Sequence, residues 1–261
     1  MRIKALNIGQ SKSGKTGALA SLLLVGYNIY MLDFDNNSEV LDTLLRDNPE
    51  ALSRLHRVTL RDAIIPIRGV PKVKSPPTAY KGAGKALEEW QADTLDEDSI
   101  LVIDTLTSMS DAAFNEALML AGRLNQRAQL QDYGWMADSV MLFMEMLTSP
   151  ALNCHVIVNT HIRHFAGSEE DQTTARGLPN AKGQQIPSTV SRYFNSVILS
   201  RTMGTGPGTK RMISTQPQGV VEVKTSSPST VKASYPIEDG LASLFSDILG
   251  HGPNLQQKVK P

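Results

Sequence analysis

The 261-residue sequence has one cysteine, Cys154, which excludes an intrachain disulfide and a zinc site built from several cysteines. Its setting, NCHVIV, reads as a buried strand, so the thiol is expected to be inert packing. No apolar run approaches the roughly 18 residues of a membrane-spanning helix, and no charged-then-apolar leader opens the chain. The expectation is a soluble, cytoplasmic protein with no membrane partner. Net charge is missing too, since 26 Lys and Arg meet 26 Asp and Glu. Bulk charge therefore argues neither for nor against nucleic acid, and only local clusters can. What remains is ordinary globular composition, 41% hydrophobic and 20% charged, enough for a sizeable core in one large domain or two small ones.

Near-continuously apolar runs at 3–8, 27–34, 99–105, 154–160 and 195–200 read as strands covered on both faces of a parallel sheet. Helical patterns at about 15–25, 38–46, 80–92, 108–130 and 133–148 fall between them. The alternation predicts an α/β fold with right-handed crossovers. After Arg201 the texture turns to glycine-rich turns and the short alternating runs RMIST and VVEVKT, an antiparallel edge. No internal repeat is evident. The chain divides into one domain over 1–240 and, over 241–261, a short helix with a disordered tail. Two stretches carry no period: 66–79, with four prolines, and the polar 165–188. Structureless loops of that length are functional or disordered.

Residues 9–16, GQSKSGKT, fit the phosphate-binding pattern G-x-x-x-x-G-K-T between an apolar strand and a run of helix formers. The glycines Gly9 and Gly14 let the N–H groups of Gln10, Ser11, Lys12 and Ser13 close on phosphate oxygens, with the positive end of the next helix behind them. Lys15 is expected to bridge the β- and γ-phosphates and Thr16 to face Mg²⁺. A polar turn is the plainer alternative. A second carboxylate is needed on a neighbouring strand, and Asp104 ends the buried run SILVIDT, where an unpaired carboxylate would be costly. Asp104 is therefore the second expected metal-holding residue, directly or through water.

This P-loop, LDFD at the end of the second strand, ILVID and VIVNTHIR follow the order of the RecA-like ATPase core, which the chain resembles. More closely, ILVIDTLTSM, the DYG at 132–134, CHVIVNTHI and KGQQIPSTVSRYFNSVI are similar to small phage ATP-binding proteins of RecA core. Several of those are single-strand annealing recombinases. The resemblance covers roughly residues 3–235. It implies a RecA-like P-loop NTPase core with a mostly parallel sheet, ATP and Mg²⁺, slow DNA-stimulated hydrolysis, and single-stranded DNA as partner. It also implies a homo-oligomeric ring or filament, and as a further partner a single-strand DNA-binding protein.

Carried over residue by residue, the resemblance makes Asp35 the carboxylate that polarises the attacking water, where the family usually has Glu. From the residues alone Asp35 also reads as the cap of the helix near 38. His161 falls at the polar sensor closing the fourth strand, although a surface histidine is the bland alternative. Residues 162–188 become the second DNA-binding loop, with Arg163, Arg176 and Lys182 meeting phosphates, and 117–130 the first, with Arg123 and Arg127. Glu169, Glu170 and Asp171 offset that charge, and Phe165 is the loop's one aromatic, so a nucleotide-gated loop without DNA stays open. Lys224 matches the first of two family lysines that reach a neighbour's ATP, while Ser226 stands at the second.

Outside these motifs, 54–85 holds Arg54, Arg57, Arg61, Arg68, Lys72, Lys74, Lys81 and Lys85 against Asp62, and 88–98 is acidic. The two runs read either as solvated faces that neutralise each other or as a basic rim for single-stranded DNA. The leading function is Mg·ATP hydrolysis coupled to strand annealing. A small-molecule or nucleotide kinase is the runner-up, with Asp33 and Asp35 as an acceptor pocket. A nucleotide switch in DNA packaging or partitioning is the third, disfavoured where Gln10 replaces the extra P-loop lysine of partition ATPases.

Overall fold

The computed structural model describes residues 1–166, 175–204, 206–217 and 219–253. Glu169, Glu170 and Asp171, and the tail from 254 onward, lie outside the described residues. Strand β1 (Lys4–Gly9) passes through the glycine loop into α1 (Lys15–Leu24). Strand β2 (Asn28–Asp33), helices α2 (Glu39–Leu44) and α3 (Pro49–Leu52), and strand β3 (Leu55–Thr59) follow. A hairpin of β4 (Ile64–Ile67) and β5 (Val70–Val73) precedes α4 (Ala79–Glu89). Strand β6 (Ser99–Asp104), helices α5 (Leu106–Leu120) and α6 (Leu130–Thr148), and strand β7 (His155–Thr160) complete the middle of the chain. Then come the hairpin of β8 (Ile162–Phe165) and β9 (Arg176–Pro179), and helix α7 (Gln185–Thr189). Strands β10 (Ser196–Met203), β11 (Lys210–Ser214) and β12 (Ser234–Pro236) lead to helix α8 (Gly240–Leu249).

One eight-stranded sheet runs in the order β12-β11-β10-β1-β7-β6-β2-β3. Pairing is parallel from β3 to β10 and antiparallel at β11 and β12. This is the expected RecA-like α/β core with an antiparallel C-terminal edge. The inner strands are apolar throughout because both faces are covered. Leu6, Ile8, Leu101, Ile103, Val156 and Val158 pack under α4, α5 and α6. The alternate residues Ala5, Ile29, Met31, Ile100, Val102 and Ile157 pack under α1 and α8.

The five expected strands are all present, and β3 joins them at the edge. Elsewhere the pattern misled. The helix expected over 108–130 ends at Leu120, where Gly122 turns at φ +67 and Asn125 at φ +64. Helix α6 then starts at Leu130 behind a reciprocal cap of Gln129 and Asp132, with Arg123 paired to Asp132. The proline-rich 66–79 contains the β4–β5 hairpin, turning through Arg68 (φ +53) and Gly69 (φ +78), the conformation a two-residue hairpin demands. The polar stretch at 165–188 likewise begins at the end of β8, contains β9 and ends within α7. VVEVKT, expected as a strand, makes only isolated bridges, Val221 to Gly177 and Lys224 to Val197.

Candidate nucleotide site

The carboxyl ends of β1, β2, β6 and β7 carry Gly9, Asp35, Asp104 and His161 to one rim of the sheet, where open α/β sheets bind ligands. Gly9 is dictated by space, since a Cβ there would lie 2.4 Å from the Ser200 carbonyl and 2.7 Å from Ser13 Oγ. Gly14, at φ +94, turns the chain into α1. Lys15 is buried, and its Nζ donates to the carbonyls of Gly9 (2.9 Å) and Gln10 (2.8 Å). Burial lowers its pKa, while Asp104 and Asp35 oppose that shift. Ser13 Oγ is buried with no hydrogen-bond partner, an orphan hydroxyl inside the loop.

Thr16 Oγ1 donates to Asp104 Oδ2 at 2.6 Å, and Asn159 Nδ2 donates to Oδ1 at 3.0 Å. Burial pushes the Asp104 carboxyl up to about 6; these two donors pull it down, and Asp35 and Asp33 raise it. The backbone N–H groups of Phe34 and Asp35 both donate to the Asp104 carbonyl, which lays the LDFD turn beside β6. Asp33 takes the capping duty there: its carboxylate accepts from the N–H groups of Asn37 (3.4 Å) and Ser38 (3.1 Å) ahead of α2. Asp35 is thereby left to face the rim. Its Oδ1 accepts from Thr105 Oγ1 (3.1 Å) and from Ser108 Oγ, and its Oδ2 lies 3.4 Å from His161 Nε2. Burial alone would raise the Asp35 pKa, but donation from His161, Ser108 and Thr105 together outweighs it and holds the carboxyl below its ordinary value.

The arrangement fits Mg·ATP. A backbone cradle that a Cβ would fill, an orphan hydroxyl within it, a buried ammonium and a hydroxyl–carboxylate oxygen pair suited to a hard cation meet at one helix N-terminus. Thr16 and Asp104 would hold the metal, Lys15 and the loop N–H groups the phosphates.

The remaining expected site residues are dispersed. Arg163 and Arg176 are exposed on β8 and β9, Arg163 over the Phe165 ring at 5.0 Å. Lys182 pairs with Asp111 at 2.7 Å and lies 4.7 Å from the centre of the Phe114 ring. Lys224 bridges Val197 through its backbone and exposes its side chain. Sequence reasoning missed Thr105 and Ser108, which hold Asp35, and Thr107, which ties His161 N–H and the Asn180 carbonyl to the start of α5. The run of hydroxyls after Asp104, TLTS, was the available signal. It also missed Arg211, whose Nε donates to the Lys12 carbonyl at 3.1 Å.

A family model described as an AAA domain matches residues 1–227. No curated protein matches the sequence. Among solved structures, the chain is similar to the KaiC-like protein PH0186 of the hyperthermophilic archaeon Pyrococcus horikoshii OT3. The identity is 11% and the TM-score 0.47, over 91% of this chain and 87% of that one. It is also similar to the flagellar accessory protein FlaH of Methanocaldococcus jannaschii, at 11% identity and a TM-score of 0.46 over the same shares.

Proposed function

From the premise that the chain belongs to the AAA domain family, we propose that it binds Mg·ATP, hydrolyses it slowly, and acts on single-stranded DNA in strand annealing of the phage type. The observation that carries hydrolysis is the Asp35 carboxylate, relieved of helix capping by Asp33 and held by Ser108, Thr105 and His161 beside Asp104. A carboxylate kept ionised in that position can accept the proton of a water attacking the γ-phosphate. When bound, Mg²⁺ would neutralise phosphate charge. The same geometry weakens the kinase reading, because Asp33 is committed to backbone and is not part of an acceptor pocket.

DNA binding is supported by the distribution of cations. Arg163 and Arg176 are exposed on the β8–β9 hairpin directly after His161. In the basic run, Arg54, Arg57 and Lys81 pair with Glu50, Asp42 and Glu116. Asp62, its one acid, accepts from Thr78 N, Ala79 N and Asn115 Nδ2. Arg68, Lys72 and Lys74 form no ion pair among the described residues, which leaves their charge for a polyanion. Lys182 contributes by exchanging Asp111 for a phosphate. Copies assemble as a ring or filament, in which the exposed Lys224 is available to a neighbour's nucleotide. The test is ATP turnover with and without single-stranded DNA. Wild type should release phosphate faster with DNA, and Asp35→Asn should lose at least tenfold in rate while keeping nucleotide affinity. No turnover in wild type under either condition would reject the ATPase.

A further inference from the structure

Three polar side chains stand side by side in the driest part of the sheet. Asn7 on β1 is in register with Asn159 on β7, and Asn159 with Asp104 on β6. Asn7, Asn159, Asp104 and Ser200 are all essentially inaccessible to solvent. Ser200 Oγ donates to Asn7 Oδ1 at 2.7 Å, Asn7 Nδ2 to Asn159 Oδ1 at 3.0 Å, and Asn159 Nδ2 to Asp104 Oδ1 at 3.0 Å. Thr16 Oγ1 closes the other oxygen at 2.6 Å.

The direction of this chain is not free. An ionised carboxylate only accepts, so Asn159 must turn its NH2 toward Asp104 and is left with its carbonyl facing Asn7. Asn7 must then present its NH2, and its own carbonyl requires a donor, which Ser200 supplies. Polar side chains in a core of Leu, Ile and Val are tolerated only when satisfied, and a fully satisfied network specifies one arrangement. The four strands β10, β1, β7 and β6 are thus locked so that one carboxylate oxygen is fixed and the other is offered to Thr16.

We propose that Asn159, Asn7 and Ser200 are positioning residues for the metal-holding pair Thr16 and Asp104, acting as one directed hydrogen-bond chain. The proposal rests on the Mg·ATP reading of the site. Outer-shell partners that orient a ligand typically change metal affinity by about 10–100-fold when removed.

The experiment measures affinity for ADP and for a non-hydrolysable ATP analogue, in EDTA and across a Mg²⁺ titration. The proteins are wild type, Asn159→Leu, Asn7→Leu, the double variant and Asn159→Ser. Asn159→Leu should need about 10–100-fold more Mg²⁺ for the same gain in nucleotide affinity, with its affinity in EDTA unchanged. Asn7→Leu should move the Mg²⁺ requirement the same way by less, and the double variant should be no worse than Asn159→Leu, since the chain acts as a unit. Asn159→Ser, which keeps a hydroxyl donor and is the milder change to the core, should fall between wild type and Asn159→Leu. It decides the matter if the leucine variants do not fold. Equal losses in EDTA and Mg²⁺, additive losses, or an unchanged Mg²⁺ requirement would overturn the chain while leaving the nucleotide site standing. A wild type whose nucleotide affinity does not respond to Mg²⁺ would overturn both.

Discussion

At the scale of the residue, Asp104 shows how a site is held against the preference of its surroundings. Its carboxyl sits at about 6 against an ordinary 3.8, chiefly through burial. For an acid whose folded pKa is raised, the ionised form costs stability. The cost is absent below about pH 4, develops as the pH rises to about 6, and is constant above. Asp104→Asn should therefore stabilise the ligand-free protein at pH 7.5 by on the order of 1–3 kcal/mol, with the gain vanishing near pH 4 and the Mg²⁺ response lost. Thermal melts of both proteins across pH check this; a gain that persists at pH 4 would contradict it. Gly9 to Thr16 were legible because neighbours in sequence are there neighbours in space, and Asp104 because it ends a buried apolar run, although its partner Thr16 lies 88 positions away. Asn7 and Asn159 were not, because their bond joins positions 152 apart and nothing local marks an asparagine in an apolar run as satisfied. Asp33 and Asp35 were legible as a pair, yet which one caps α2 is decided only by the turn between them.

At the scale of the element, parallel strands were easy to read because burial on both faces makes them continuously apolar. The β4–β5 hairpin was hidden because four prolines in 66–79 read as loop. Pro66 and Pro71 face each other in a two-stranded ribbon, which has no inner strand whose ladder they would interrupt. The ribbon is fixed at its base by Asn125, whose side chain donates to the Val73 carbonyl (2.9 Å) and accepts its N–H (2.8 Å). Its sides expose Ile64 (68%) and Val70 (54%), and Arg68 and Lys74 are exposed while Lys72 is half-buried. Replacing Arg68, Lys72 and Lys74 with neutral residues should weaken single-stranded DNA binding. It should also flatten log affinity against log salt by roughly 0.7 for each phosphate that is no longer neutralised. Titrations at several salt concentrations measure that slope, and an unchanged one would leave the ribbon without a role in DNA binding.

At the scale of the whole molecule, helix α8 returns the chain to its beginning. Leu241, Leu244 and Phe245 are buried in the same cluster as Leu19, Leu22 and Leu23 of α1, and Ala242 N donates to Ser21 Oγ at 3.2 Å. The helix that follows the P-loop is thus packed against the last helix described. Phe245→Ala should cost about 3–5 kcal/mol of stability, read by denaturant unfolding, and Mg·ATP should recover part of it by binding only the folded form. A loss below about 1 kcal/mol would mean that α8 is not part of the folding unit.

The strand that α8 follows also limits what another chain could pair with at this edge of the sheet. β12 is three residues long and ends on Pro236, which has no N–H to offer. A longer open strand here would be a template on which another chain's backbone could align, the route by which sheets fuse into fibres. This margin presents too little ladder to seed such growth. Any contact between copies on this side would have to be made by side chains rather than by a backbone pairing that any extended segment can join.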